Sequence, residues 1–359
     1  MAWCLAGMAT LEAQSTMRPP AALNTQYVML VIADGVRWQE VFTGADASLM
    51  NKAGGVSDTA SLRRDFWRET PPARRAALFP FLWSTMATQG QVFGDSAGGS
   101  PARITNTMKF SYPGYNETFT GFADPRIDSN DHPPNENTTV FEWLNRDAAF
   151  TGRVAAFATW NAFSRIFNAE RSGVPVYDGW TRGVAPSESP RSVLLRDLYA
   201  TTIRVWPDVA FDALMQQSLL EYLGGHDPRV LFVGYGEPDE WAHAGKYDLY
   251  LRSARNMDAY LAQLWARVQS DPRTRDKTTM IVSTDHGRGW GREWTDHGKE
   301  VAGAEFIWTA VIGPDTPARG VRANTPVQQA QVAATIAALL GRDWQKAEPK
   351  AAPPLPIFR

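Results

Sequence analysis

The stretch from Thr278 to Gly298, T-T-M-I-V-S-T-D-H-G-R-G-W-G-R-E-W-T-D-H-G, joins an apolar run to Asp285, His286 and His297 at and beyond its end. Imidazole and carboxylate are donors that zinc accepts, and a strand tip is where a parallel sheet presents such groups. Three further stretches offer partners. Y-V-M-L-V-I-A, Tyr27 to Ala33, ends in Asp34-Gly35. V-L-F-V-G, Val230 to Gly234, opens onto a segment in which Asp239 and His243 stand four apart, a spacing that a helical turn puts on one face. Ser111 stands before Tyr112-Pro113 at the start of a helical stretch, where unpaired N–H groups and the positive end of the helix dipole favour an anion. Each has a plainer reading on its own. Asp-Gly is a common turn dipeptide, a serine before a helix is a common cap, and an acidic loop with a histidine is ordinary surface.

The bulk composition narrows the chemistry. The chain has 359 residues and is 44% hydrophobic, enough for one large or two ordinary domains. Its 36 Lys and Arg nearly balance 38 Asp and Glu, and a net charge of -2 leaves no electrostatic footprint for nucleic acid or a membrane surface. An anionic ligand must therefore be attracted locally. The lone Cys4 excludes an intramolecular disulfide and a thiolate metal cluster, which leaves His and carboxylate as ligands. No apolar run is long enough for a transmembrane helix. Residues 1–24 start apolar but lack a basic n-region, and read equally as a residual secretory signal or a weakly docked leader.

The elements that must position these groups alternate between strand and helix. Leu78 to Gly90 predicts a packing helix, Gln91 to Phe93 a short strand and residues 94–103 a loop. Helices follow at Thr139 to Arg146, Asp208 to Leu223 and Tyr247 to Val268, with strands at Arg153 to Thr159 and Phe306 to Ile312. Thr325-Pro326 reads as the N-cap and first residue of a helix over Gln328 to Leu340, closed by Gly341. Together they predict an α/β fold with a mostly parallel central sheet and helices on both faces. The aromatic stretch over about residues 160–200 predicts a small inserted cap, and residues 346–359 an extended Pro-rich tail. There is no G-x-x-x-x-G-K-[ST] loop and no G-x-S-x-G elbow, which argues against P-loop and serine-hydrolase chemistry.

Taken in chain order, Asp34-Gly35, Ser111-Tyr112-Pro113 through Thr120-Gly121, Asp239-x-x-x-His243, Asp285-His286-Gly287 and His297-Gly298 resemble the alkaline phosphatase superfamily, most closely its nucleotide pyrophosphatase/phosphodiesterase branch. The resemblance spans about residues 27–341 and implies one catalytic domain over residues 25–345 with two zinc ions as cofactors. It assigns one ion to Asp239, His243 and His297, and the other to Asp34, Asp285 and His286, with Ser111 as further ligand and nucleophile. Three carboxylates then face two divalent ions, a net positive site that suits a phosphate. I-D-S-N, Ile127 to Asn130, is similar to the family's phosphate-contacting segment and makes Asn130 a donor to a nonbridging oxygen. The chain departs from the family at Gly114-Tyr115, so substrate preference does not carry over.

The activity implied is hydrolysis of a small phosphoester through a phosphoseryl intermediate on Ser111. Diesters or nucleotide pyrophosphates are expected over monoesters, because monoesterases of the superfamily add an Arg or Lys near the phosphate; only Lys109 and Arg103 lie close to Ser111 in sequence. Monoester or phosphonate hydrolysis on the same residues is one alternative, and a non-catalytic zinc- or phosphate-binding protein is another. Sulfatase chemistry is disfavoured because S-Y-P-G-Y lacks the Arg of a C/S-x-P-x-R signature. The habits of the family point to the periplasm or the outside of the cell, and the oligomeric state stays open. His132 reads as a solvated loop residue and His226, in G-G-H-D-P, as a turn residue.

Overall fold

The computed structural model describes residues 22–358, so the leader expected over residues 1–24 lies, up to residue 21, outside the described residues. Its strands are β1 (Tyr27–Ala33), β2 (Gln91–Phe93), β3 (Ala102–Arg103), β4 (Val154–Ala158), β5 (Val176–Asp178), β6 (Val230–Tyr235), β7 (Thr278–Ser283), β8 (Phe306–Ile307), β9 (Thr309–Ile312), β10 (Gly320–Val321) and β11 (Val327–Gln328). The main sheet runs β10-β2-β9-β7-β1-β6-β4-β5, and a small one runs β11-β3-β8. In the main sheet only β9 opposes the others. This is the mostly parallel α/β architecture expected, with helices on both faces.

β1 lies at the centre, between β6 and β7. Val28, Leu30 and Ile32 enter the core on one face while Met29, Val31 and Ala33 enter the core on the other. Burial on both sides is why its sequence is an unbroken apolar run. Ala33 stands opposite Tyr235 and Ile32 opposite Ser283, so the chain leaves β1, β6 and β7 at one edge of the sheet. Asp34, the helix Glu237–His243 and the segment Thr284 to His286 therefore converge there.

Long-range pairing alters several local expectations. The run Phe306 to Ile312 is two strands, with the chain passing from the small sheet to the large one at the buried Trp308, whose Nε1 donates to Val36 O at 2.9 Å. Thr325-Pro326 does not start a helix. Val327–Gln328 pairs with β3 instead, and the helix spans Gln331–Leu339. Leu78 ends a helix begun at Pro71, and the next begins after Phe79, where Asp258 accepts hydrogen bonds from Phe81 N (2.8 Å) and Leu82 N (2.9 Å). Within residues 160–200, Val176–Asp178 is the edge strand of the main sheet, and the helix Pro190–Thr201 follows it. The Pro-rich tail packs against the body: Ala351, Leu355 and Ile357 are buried, and Gln91 Nε2 donates to Ile357 O at 2.8 Å. No helix among the described residues is long and apolar enough to cross a membrane.

Candidate active site

Ser111 is the first residue of the buried helix Ser111–Thr120, and Phe110 occupies the cap position without a side-chain cap bond. The cap reading of Ser111 is thereby corrected, because extended backbone at Phe110 (φ -148, ψ 177) places the serine inside the helix. Its Oγ is left with His286 Nε2 as a partner, at 3.4 Å. Gly114, the departure from the family pattern, has a steric cause. A Cβ there would lie 2.5 Å from Asp285 O, so the glycine lets the serine helix close on the loop that carries Asp285 and His286.

Asp34 Oδ1 and Asp285 Oδ2 each lie 3.4 Å from His286 Nε2. Neither oxygen has a hydrogen-bond partner among the described residues, although both are buried. The second oxygen of each is occupied: Tyr115 Oη donates to Asp34 Oδ2 at 3.0 Å, and Gly35 N to Asp285 Oδ1 at 3.2 Å. His286 Nδ1 lies 3.0 Å from Gly287 O, which assigns the ring proton to Nδ1 and turns the Nε2 lone pair toward both carboxylates and Ser111. Burial, with Asp285 and Asp239 nearby, pushes the Asp34 carboxyl well above its usual range. Burial and the charge of Asp239 raise Asp285 to about 7. Two buried carboxylates and an imidazole nitrogen turned toward one another, each carboxylate penalised by burial and by its negative neighbours, are a cation's environment. Donors bound at about 2.0–2.2 Å in a tetrahedron sit roughly 3.3–3.6 Å apart, and the observed spacing fits a metal of that size.

The second set lies alongside. His243 Nε2 is 3.2 Å from Asp239 Oδ2 and 2.9 Å from His297 Nε2. His297 Nδ1 sits 3.1 Å from Lys109 O, which leaves its Nε2 lone pair facing inward. Burial, with His286 next to it, lowers the His297 pKa to about 2, so the ring is neutral. Asp239 Oδ1 lies 3.8 Å from His286 Nε2 and 3.9 Å from His297 Nε2, bridging the two sets. Asp239, His286 and His297 form one group with donors within 4.8 Å of one another, and Asp34, Asp285 and His286 form the other. Asp34, Ser111, Asn130, Asp239, His243 and His297 line one cleft of about 180 Å³ together with Trp160, Val209, Gly236 and Glu240.

Other residues singled out from the sequence lie elsewhere. Lys109 Nζ is held by Val301 O (3.1 Å) and Glu305 (3.3 Å), and the Arg103 guanidinium stacks on Phe306 at 4.4 Å. Neither lines the cleft. His132 is half-buried, its ring centroid 5.4 Å from that of Tyr112, rather than fully solvated. His226 follows the helix Asp212–Gly225 and stacks on Tyr222 at 4.0 Å.

Sequence reasoning missed Arg288. It is fully buried, pairs with Asp239 Oδ1, and donates to Asp239 O at 3.1 Å and to Thr295 O at 2.6 Å. Burial would raise the Asp239 carboxyl, but Arg288 and then His243 outweigh it and hold the group well below its usual range. The available signal was an arginine directly after Asp285-His286-Gly287. Gly35 makes room for this pair: at φ +62, its Cβ would stand 2.5 Å from Asp239 Oδ1 and 2.8 Å from Arg288 Nε. Gly35→Ala is expected to lower stability by about 1–3 kcal/mol through strain and crowding, and to weaken metal retention, as read by thermal melting and metal analysis.

No family profile matches the chain, and no curated protein matches it in sequence. Solved structures do match. A phosphonate monoester hydrolase from Silicibacter pomeroyi superposes with a TM-score of 0.54 at 13% identity, over 92% of this chain and 78% of that one. A putative sulfatase from Bacteroides thetaiotaomicron gives 0.56 at 10% identity, over 89% and 71%. A protein of the alkaline phosphatase superfamily from Vibrio parahaemolyticus gives 0.52 at 12% identity, over 91% and 69%. The chain has the alkaline phosphatase superfamily fold.

Proposed function

We propose that this chain is a two-zinc phosphodiester hydrolase that works through a phosphoseryl intermediate on Ser111. The observation that carries the reading is the pair of buried, partnerless oxygens, Asp34 Oδ1 and Asp285 Oδ2, that converge with His286 Nε2 beside a serine hydroxyl not engaged in capping. Asp34, Asp285 and His286, with Ser111 Oγ, would hold one ion, and Asp239, His243 and His297 the other. When bound, the metals lower the pKa of the hydroxyl and offset charge on the phosphoryl oxygens.

The chain's own groups do the rest. Ser111 Oγ attacks phosphorus as the bond to the leaving alcohol breaks, and water later releases the phosphoryl group from the serine. The positive end of the helix that starts at Ser111 favours the negative phosphoryl oxygens, through the helix dipole rather than free N–H groups, since Tyr112 N donates to Asn130 Oδ1, Pro113 has no N–H and Gly114 N donates to Phe110 O. Asn130 Oδ1 accepts from Tyr112 N at 2.9 Å, so the amide NH2 is the end left to donate to a nonbridging oxygen. A diester is preferred because, among the described residues, no Lys or Arg lines the cleft to pair with the extra charge of a monoester.

The test compares zinc-reconstituted protein on bis(p-nitrophenyl) phosphate, p-nitrophenyl phosphate and a phosphonate monoester, alongside metal analysis. Hydrolysis of the diester with the highest kcat/KM and about two ions per chain is expected. Full metal loading without turnover would favour a binding protein, and faster monoester or phosphonate turnover would overturn the diester preference.

A further inference from the structure

Glu117 stands on the helix Ser111–Thr120 and is fully buried, and its carboxylate takes donors from one short loop. Thr105 N (2.8 Å) and Thr105 Oγ1 (2.9 Å) donate to Oε1, and Asn106 N and Asn106 Nδ2, each at 2.8 Å, donate to Oε2. Burial works against this charge, and the bonds to Asn106 and Thr105 work for it. Every partner donates, so only a group with no proton of its own fits there.

The chain of bonds continues past this clamp. Asn106 Oδ1 accepts from Lys109 N at 2.9 Å. Lys109 is held at φ +55, the left-handed region that glycine favours. The carbonyl so placed receives the proton of His297 Nδ1 at 3.1 Å. On the outer side, Lys109 Nζ donates to Val301 O at 3.1 Å and Ile104 N to Glu305 O at 3.1 Å, which fastens the loop to the segment after His297. Lys109 is also joined through Phe110 alone to Ser111. A buried carboxylate and a left-handed lysine are both unfavourable, and both lie on the one path that sets this carbonyl.

We infer that Glu117 is a positioning residue for His297. By clamping residues 105–109 it sets the Lys109 carbonyl, which keeps the ring proton on Nδ1 and turns Nε2 toward His243 and Asp239, in fixed relation to Ser111. The inference rests on the two-ion reading and adds to it a residue outside the ligand set that governs the hold on the ion of Asp239, His243 and His297. Outer partners of a ligating histidine change metal affinity by about ten- to a hundredfold.

The experiment follows release of zinc from the loaded full chain to a chromogenic chelator in Glu117→Gln, Asn106→Ala and the double variant. Glutamine keeps the size of Glu117 but turns an NH2 group toward donors. Asp258→Asn is the control, because it makes the same change at a buried carboxylate bonded to Phe81 N and Leu82 N instead. The wild type is expected to release two ions. In each single variant one ion, the same one that His297→Ala fails to hold, should leave tenfold or more faster, and the other at the wild-type rate. The double variant should be no faster than the faster single, since both changes cut one path. Asp258→Asn should melt at a lower temperature yet release both ions as the wild type does. Unchanged release in Glu117→Gln overturns the inference and leaves the two-ion reading standing. So does equal acceleration of both ions in Glu117→Gln and Asp258→Asn, or a double variant in which the two effects simply multiply. Fewer than two ions in the wild type removes both.

Discussion

Ser111→Ala is expected to lower phosphodiester turnover by on the order of a thousandfold or more, with the bound metal and the melting temperature nearly unchanged. Loss of a nucleophile removes the covalent route altogether and leaves the residual rate provided by binding and electrostatics. A thousandfold change corresponds to about 4 kcal/mol of transition-state stabilisation. Stability should hold because the hydroxyl is not the cap of its helix and its one side-chain partner among the described residues is His286 Nε2 at 3.4 Å. Rapid-quench measurement on the wild type should trap label on Ser111, and the variant should trap none. Unchanged turnover in Ser111→Ala would remove the serine from the chemistry, whatever the metal content.

Arg288→Met is the change with the largest expected effect on the architecture of the site. The guanidinium neutralises Asp239 and, through Asp239 O and Thr295 O, ties the helix Glu237–His243 to the loop that carries His297. Methionine fills much of the volume but leaves a buried carboxylate without its cation, a change that costs about 3–5 kcal/mol. Lower stability and at least a tenfold loss in kcat are expected, with substoichiometric zinc after dialysis. Excess zinc should restore part of the melting temperature in Arg288→Met, because a divalent ion can replace the missing positive charge beside Asp239. Arg288→Lys should fall between the two, since a single ammonium cannot span Asp239 and Thr295 as the planar fork does. If Arg288→Met melted, bound zinc and turned over like the wild type, the arginine would have no positioning role.

How much of this was legible in the sequence depends on the range of the interaction involved. The doubly buried strand at Tyr27 to Ala33 declared itself through an unbroken apolar run, and the i,i+4 pair Asp239 and His243 through helical spacing, because both patterns follow from local geometry. The order of the short motifs sufficed to mark Asp34, Ser111, Asp239, His243, Asp285, His286 and His297 as candidates. It could not show that the first and last of these stand within one cleft, which follows from β6, β1 and β7 lying side by side and parallel. Local patterns failed where a distant partner decided the outcome. Thr325-Pro326 has the residues of a helix start, yet pairing of Val327–Gln328 with β3 draws the next residues into a strand. Phe306 to Ile312 reads as one apolar run, and nothing within it records that two sheets divide it at Trp308.

Residue types and their order thus determined the chemistry available to this chain: hard-to-borderline donors, a serine near a helix start and too few cysteines for a thiolate cluster. The tertiary structure decided how each donor is used. It fixed the imidazole tautomers through Gly287 O and Lys109 O, left Asp34 Oδ1 and Asp285 Oδ2 without a hydrogen-bond partner among the described residues, and set Arg288 against Asp239. The physical reason is that a side chain's ligand character is inherited from its type, whereas its proton, its charge partner and its desolvation belong to neighbours that only the folded chain supplies.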